Sequence, residues 1–304
     1  MKIFAAPLQG FTDYVWRNAH RMVYGDCIWR YYSPFMRLEK GNFRKRDLRD
    51  ISRDNNAEDV KLVPQVLACA SADAVKIVAK IVEMGYEEVD VNLGCPFPPV
   101  TRKHQGAGML PYVDEVADLF KALATMTGVR YSVKMRLGME SADEWTGILP
   151  LLDILCPAHV SVHPRTARQQ YGGEIDYKQF AKFYSLSKWP VVYNGDVRSA
   201  DDVTRVESSF PGLHGIMIGR GLLMEPGLSL NDYSIEMKKR FYDHLFSGYS
   251  KIYDEHQLVL KMHAFWEYFM SGEDRKLRKK ILKSRNLSDY EVAVKAFWMA
   301  MGAI

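Results

Sequence analysis

The sequence predicts an α/β fold, a (β/α)8 TIM barrel carrying a small C-terminal helical bundle. Three observations predict it. Short apolar runs of strand character alternate with helical patterns through the first three quarters of the chain. From about Asp232 that alternation stops, and helical stretches rich in aromatic, Met, Lys and Arg residues take over. Polar residues also gather at the ends of successive strand runs, where barrels of this kind keep their chemistry. At 304 residues the chain can bury one large α/β core with an appendage, and 47% hydrophobic with 26% charged residues is ordinary for a soluble enzyme.

Strands are expected over residues 3–7, 28–33, 62–68, 88–93, 131–136, 159–163, 191–194 and 215–219. Helix starts are marked by Ser71, Ala72 and Asp73, by Pro111 with Asp114, and by Ser199 with Asp201 and Asp202. The first of these helices should run to Met84 and stop at Gly85. Roughly eight strand–helix units over about 230 residues suit a closed barrel. A doubly wound sheet would lead with a glycine-rich fingerprint after its first strand. Here that place reads Pro7-Leu8-Gln9-Gly10-Phe11-Thr12-Asp13, so the barrel is favoured. The tail should form helices over 235–245, 254–270, 274–283 and 289–301, dividing the chain into a barrel domain, 1–232, and a helical domain, 233–304.

No apolar run is long enough to span a bilayer, and Met1 to Pro7 reads as a strand rather than a signal peptide. A cytoplasmic protein without a membrane partner is expected. Cys27, Cys69, Cys95 and Cys156 are widely spaced, with no Cys-x-x-Cys pair and no histidine at zinc spacing. That pattern argues against a disulfide framework and a metal site. Cys27, Cys69 and Cys156 read as packing residues. A net charge of +4 permits a nucleic-acid partner without indicating one.

Cys95 is different. The run Val89-Asp90-Val91-Asn92-Leu93-Gly94-Cys95-Pro96 delivers an asparagine and a cysteine from a strand to a Gly/Pro loop. Gly94 is expected to allow an unusual turn and Pro96 to stop the strand, holding a thiol at the mouth of a cleft. A packed strand-end cysteine is the bland alternative. The other strand ends carry Pro7-Leu8-Gln9, Gln65, Lys134 with Arg136, His163-Pro164-Arg165-Thr166, Asn194-Gly195-Asp196 and Gly219-Arg220-Gly221. Singly, Gln65 reads equally as an internally bonded core amide, Lys134 as a solvent-facing residue, His163 as a cap for a neighbouring helix, and Asn194-Gly195-Asp196 as a plain turn. At successive strand ends they converge on one pocket. The last two motifs offer glycines, amides and an arginine where barrels bind phosphate. A phosphorylated cofactor is implied, with Lys134 placed to stabilise an electron-rich ring such as reduced flavin.

These motifs resemble the tRNA-dihydrouridine synthase family. The carriers are Ala6 to Asp13, Asp90-Val91-Asn92-Leu93-Gly94-Cys95-Pro96, Val133-Lys134-Met135-Arg136, His163-Pro164-Arg165-Thr166, Asn194-Gly195-Asp196 and Ile218-Gly219-Arg220-Gly221, and the resemblance covers essentially the whole chain. It implies an FMN-bearing barrel with a helical tRNA-recognition domain, reducing a tRNA uridine to 5,6-dihydrouridine, with NADPH as electron donor. Carried over by position, Pro7, Leu8, Gln9, Gln65, Asn92, Lys134 and His163 would contact the flavin. Asn194, Gly195, Asp196, Gly219 and Arg220 would hold its phosphate end, and Arg165 would help place the RNA base. Hydride from reduced FMN would add to uracil carbon 6 and Cys95 would protonate carbon 5; an ordinary thiol, with a pKa of about 8.5, carries its proton at neutral pH. The chain departs from the family's usual form at Leu8-Gln9, at Pro98-Pro99, where a lysine is common, and at Pro164. Gly106 and Gly108 are retained.

On this reading a base must leave its stack, and contacts to the RNA backbone must offset that cost. The basic stretch 275–285, with Arg278, Lys279, Lys280 and Lys283, is the expected phosphate footprint of a monomeric tRNA-binding enzyme. A second basic run, Arg44-Lys45-Arg46 to Arg49, is interleaved with Asp47 and Asp50 and reads as solvated. Phe265, Trp266, Tyr268, Phe269, Phe297 and Trp298 recur at helical spacing and read as bundle core. The competing reading is an FMN-dependent barrel oxidoreductase acting on a small pyrimidine or enone, which has no use for a basic tail. A non-catalytic RNA-binding protein would have no use for Cys95, Lys134 and His163.

Overall fold

The computed structural model describes residues 1–303. Its strands are β1 Ile3–Ala5, β2 Arg30–Tyr32, β3 Leu38–Glu39, β4 Asn42–Phe43, β5 Leu62–Val63, β6 Gln65–Leu67, β7 Glu88–Leu93, β8 Arg130–Gly138, β9 Val160–Thr166, β10 Val191–Tyr193 and β11 Gly215–Ile218. All but the antiparallel β3–β4 hairpin form one parallel sheet, in the order β5-β2-β1-β11-β10-β9-β8-β7-β6. The two ends of that order are halves of a single stave. Pro64 lacks an N–H and interrupts the ladder, so β5 pairs with β2 while β6 pairs with β7. Counting them as one gives the barrel of eight staves that the alternation predicts.

The strand period of two sorts the side chains. Val89, Val91, Leu93, Val133, Met135, Val160 and Val162 point outward into the main core shared with the helices. Phe4, Ala6, Tyr32, Val63, Val192 and Met217 form a separate apolar cluster inside the barrel. Asp90 and Asn92 on β7, and Ser132, Lys134 and Arg136 on β8, fall on the inward face. Lys134 is therefore an interior residue, because its neighbours on both sides, Val133 and Met135, occupy the helix-packed face.

Helices Tyr14–Tyr24, Ser71–Glu83, Val113–Ala124, Tyr177–Leu186 and Ala200–Ser209 cover the outside. The last begins at a capping box between Ser199 and Asp202, as the sequence predicts. The hairpin β3–β4 and the helix Lys45–Ile51, inserted after β2, have no counterpart in the sequence expectations.

The tail forms helices Ile235–Ser250, Glu255–Trp266, Arg275–Ile281 and Leu287–Ala300. The final helix starts earlier than its expected Asp289, because the Asn286 side chain accepts the Asp289 N–H at 2.8 Å and caps the first turn. Phe265, Trp266, Phe269, Phe297 and Trp298 are buried in the bundle core. The bundle packs on the first barrel helix, with Phe241 edge-on to Trp16 at 6.1 Å. Polar contacts reach the loop after β1: Lys261 Nζ donates to Gly10 O at 2.8 Å and Asp13 Oδ2 at 2.9 Å, and Tyr249 donates to Asp13 Oδ1 at 2.8 Å. Among the described residues no helix is long and apolar enough to cross a membrane.

Candidate active site

The C-terminal ends of the strands surround a cavity of about 510 Å³, a size suited to a cofactor-sized ligand. Its wall includes Pro7, Leu8 and Gln9 after β1, Gln65 on β6, Asn92 and Cys95 from β7, Lys134 on β8, His163 on β9, Asn194 and Asp196 after β10, and Gly219 and Arg220 after β11. Two expected residues stand behind it. A Cβ at Gly195 would meet Tyr193 Oη at 2.7 Å and Ile175 at 2.9 Å, so this glycine packs against the outer core. Arg165 is almost fully buried beneath the wall. Arg278, Lys279, Lys280 and Lys283 lie on the tail, apart from the cavity lining.

The cysteine loop is shaped by side chains from the adjacent strands. Ser132 Oγ donates to Asp90 Oδ1 at 2.5 Å, and Gln65 Nε2 donates to Asp90 Oδ2 at 2.6 Å. Because that amide nitrogen faces the carboxylate, Gln65 Oε1 is left to accept from Asn92 Nδ2, at 2.7 Å. Asn92 Oδ1 in turn accepts the N–H groups of Gly94, at 2.9 Å, and Cys95, at 2.8 Å. One buried carboxylate thus sets the direction of a chain that ends on the cysteine backbone. This replaces the unusual Gly94 turn expected from sequence: Gly94 keeps a negative φ, and the Asn92 side chain makes the turn. Gly106 and Gly108 close the loop from the other side. A Cβ at Gly106 would come within 3.0 Å of Cys95 Cβ, and one at Gly108 within 2.3 Å of Thr101 O.

Burial pushes the Cys95 thiol pKa up, and the backbone at Phe97 with the Arg136, Lys134 and Arg37 charges offsets part of that rise. Cys95 therefore carries its proton at neutral pH. Lys134 is pulled down to about 8 by burial and by Arg136, against the attraction of Asp90. No side-chain partner holds its ammonium among the described residues, leaving it free for a ligand. His163 stays neutral because burial and the Arg136 and Lys134 charges drive its pKa well below the usual value. Its Nδ1 donates to Asn194 O at 2.5 Å, which leaves Nε2 as an acceptor. Arg165 holds that arrangement, with Nη1 at 3.4 Å from His163 Nε2 and Nη2 donating to Asp196 Oδ2 at 2.6 Å. Asp196 also pairs with Arg220 at 2.7 Å. Burial raises the Asp196 pKa, but Arg165, Arg220 and Arg198 outweigh it and hold the group at about 2.

Asp90 is raised by burial to about 6, despite its bonds from Ser132 and Gln65 and the Lys134 charge. A carboxyl whose folded pKa exceeds its unfolded value binds more protons when folded between those values. Stability should therefore fall as pH rises from about 4 to about 6. Thermal melts of the apoprotein across that window should lose this slope in Asp90→Asn; an identical slope in the variant would assign the pH dependence elsewhere.

Several residues that shape or line the site carried no clear signal in the sequence. Asp90 and Ser132 face inward by strand period, yet their partnership requires β7 and β8 to be in register. Arg44 and Arg46 belong to the run expected to be solvated. Instead Arg44 is buried, paired with Asp47 at 2.7 Å, and both arginines line the cavity. Tyr268, expected in the bundle core, reaches the cavity wall and meets Phe11 edge-on at 5.2 Å. Arg278 is partly structural: its Nη2 donates to Trp266 O at 2.5 Å, closing the end of the helix Glu255–Trp266. Cys69 is buried as expected, but Cys156 is exposed, at the left-handed residue that ends the short helix Leu152–Leu155.

The residues present fit the expected FMN. Amides of Gln65 and Asn92 and the free Lys134 ammonium suit a ring bearing carbonyl groups, while Asn194, Gly219, Arg198 and Arg220 offer a cationic end for a phosphate. A TIM barrel with a protonated thiol, an unpaired lysine and a neutral histidine above its strand ends is an enzyme of the barrel class. The family model described as dihydrouridine synthase (Dus) matches residues 4–299, so the chain belongs to that family. It is 29% identical to the tRNA-dihydrouridine(16) synthase of Pseudomonas putida over 76% of this chain and 72% of that one. With tRNA-dihydrouridine synthase B of Pasteurella multocida the identity is 26%, over 75% of this chain and 67% of the relative. A solved structure of morphinone reductase shares the fold, with a TM-score of 0.53 over 79% of this chain and 88% of that one at 11% identity.

Proposed function

We propose that the protein reduces a uridine of tRNA to 5,6-dihydrouridine with FMN as its cofactor and NADPH as electron donor, working in the cytoplasm where tRNA is. The observation that carries this reading is a thiol held protonated beside the Lys134 ammonium and the oriented amides of Gln65 and Asn92. Bound reduced FMN would supply the hydride that adds to uracil carbon 6. Lys134 and Gln65 would hold the flavin, and Lys134 would supply the cation that balances negative charge on it. Cys95 gives its proton to carbon 5 as negative charge develops on it, and the resulting thiolate regains a proton from water. Positioned proton transfer of this kind is typically worth on the order of 10²–10⁴ in rate. His163, fixed in one tautomer with Nδ1 on Asn194 O and Nε2 toward Arg165, would line the pocket as a neutral ring. Asp196 and Arg165 act through that histidine and through Arg220 rather than on the base.

The barrel through residue 232 would bind cofactor and base, and the helices of 233–304 would grip the tRNA. Lys279, Lys280 and Lys283 are exposed on the tail, with no ion-pair partner among the described residues, and suit phosphate contacts. Replacing the three with alanine should lower the slope of log affinity against log salt by about 3 while flavin content is unchanged. An unaltered slope would place the footprint elsewhere. The reading as a whole is tested by the flavin spectrum of purified protein and by dihydrouridine in tRNA from a strain lacking the gene. Colourless protein and unchanged tRNA modification would refute it.

A further inference from the structure

The cavity has two cationic poles, and a single phosphorylated cofactor can satisfy only one. The first lies at the ends of β10 and β11, where Arg220 and Arg198 flank Asp196. The second lies over β2, β6 and β7, separated from the first by β1 on one side and by β8 and β9 on the other. It is built by the segment that follows β2. Phe35 packs with Leu67, Val100 and Cys95, Met36 bridges to Val66, and Gln9 Nε2 donates to Phe35 O at 3.1 Å. The segment is therefore a fixed part of the cavity wall.

Here the side chains of Arg44 and Arg46 and the backbone N–H of Arg37 converge on one carboxylate, Asp47. Arg44 takes Asp47, and both are buried. Arg46 approaches Asp47 only to 3.7 Å and is 65% exposed. Arg37 has no side-chain partner among the described residues, and its Nε is buried without one. Positive charge left in surplus beside a cavity favours an anion. The pole also borders the reacting thiol, since Phe35 of the same segment packs against Cys95 and both Arg37 and Cys95 line the cavity. Beside it stands Phe97, 57% exposed, immediately before the short helix that Pro98 opens.

We propose that Arg37, Arg46 and Phe97 form a subsite for the nucleotide adjoining the uridine under reduction, the arginines pairing with flanking RNA phosphates and Phe97 stacking on the neighbouring base. The proposal rests on the tRNA-reducing reading above. A strand that inserts one base toward Cys95 leaves its phosphates at the rim, where guanidinium groups suit them. An exposed aromatic ring stacks on any base. Arg44 anchors the segment and stays outside the contact.

Holoenzyme carrying Arg37→Gln with Arg46→Gln should bind an unmodified tRNA transcript with a salt slope lower by about 1 for each arginine removed. Arg37→Lys with Arg46→Lys should keep most of the slope, which a packing role alone would not predict. Phe97→Ala should weaken binding roughly 5- to 100-fold at an unchanged slope. Wild-type affinity and slope in all of these variants would overturn the subsite. So would slower flavin reduction by NADPH with tRNA binding intact, an outcome that assigns the pole to the phosphates of the nicotinamide nucleotide. Failure of the underlying reading would appear in the wild type itself, as protein that forms no dihydrouridine.

Discussion

Cys95→Ala should leave the protein folded and yellow while dihydrouridine formation falls about 10²–10⁴-fold. The loop that carries Cys95 is held through its backbone, by Asn92 Oδ1 on the Gly94 and Cys95 N–H groups and by Ala107 N on Cys95 O at 3.1 Å. None of those bonds uses the thiol. Removing Sγ therefore takes away the proton and little of the structure. Stopped-flow measurement should find flavin reduction by NADPH at its wild-type rate and the tRNA-dependent reoxidation slowed. Full turnover in Cys95→Ala would remove the thiol from the acid role. Flavin loss would instead make it a packing residue.

Lys134→Met should separate stability from function. The Lys134 pKa is about 8, below the ordinary lysine value, so between about 8 and 10.5 the folded apoprotein holds fewer protons than the unfolded chain. Its stability should rise with pH across that window, and near pH 7 the buried charge works against folding. Methionine has similar length and no charge, so the apoprotein at pH 7 should melt at or above the wild-type temperature. The ligand would lose the one lysine ammonium that lines the cavity among the described residues. Turnover should fall about 10²–10³-fold, the usual scale for removing one group that stabilises developing charge, and flavin should be lost on desalting. In the wild type, turnover should decline on the alkaline side as the ammonium deprotonates, at a pH above about 8 once an electron-rich ring lies beside it. Lys134→Met with normal flavin content and turnover would exclude the electrostatic role. A melt well below wild type would show that the ammonium supports the fold.

The placement of the cavity wall was legible because strand ends and turns are local features. A period of two puts Asn92, Lys134 and His163 on the inward face whatever lies opposite, and Gly/Pro punctuation marks where each strand stops. The same local reasoning held for Lys45, Arg46 and Arg49, which are exposed, and misjudged Arg44, Asp47 and Asp50, which are buried. Alternating signs there suggest a solvated face, yet Asp47 pairs inward with Arg44 and Asp50 pairs with Arg17 at 3.1 Å, more than 30 positions away. Arg278 looked like one more phosphate-binding cation, and its partial burial against the carbonyl of Trp266 follows only from how two tail helices meet.

By itself the sequence determined the eight-stave barrel and the helical tail, since periodicity and capping are properties of neighbours along the chain, and its motifs carried a resemblance to the family to which the chain belongs. Tertiary structure decided what those residues touch. The chain from Asp90 through Gln65 and Asn92 to Cys95 exists only because β6, β7 and β8 lie side by side in one register. Tyr268 joins the cavity only because Lys261 and Tyr249 dock the tail on the loop at Asp13. Hydrogen bonds and charge pairs need partners within a few ångströms, and folding brings together groups that the sequence holds as much as 200 residues apart or more.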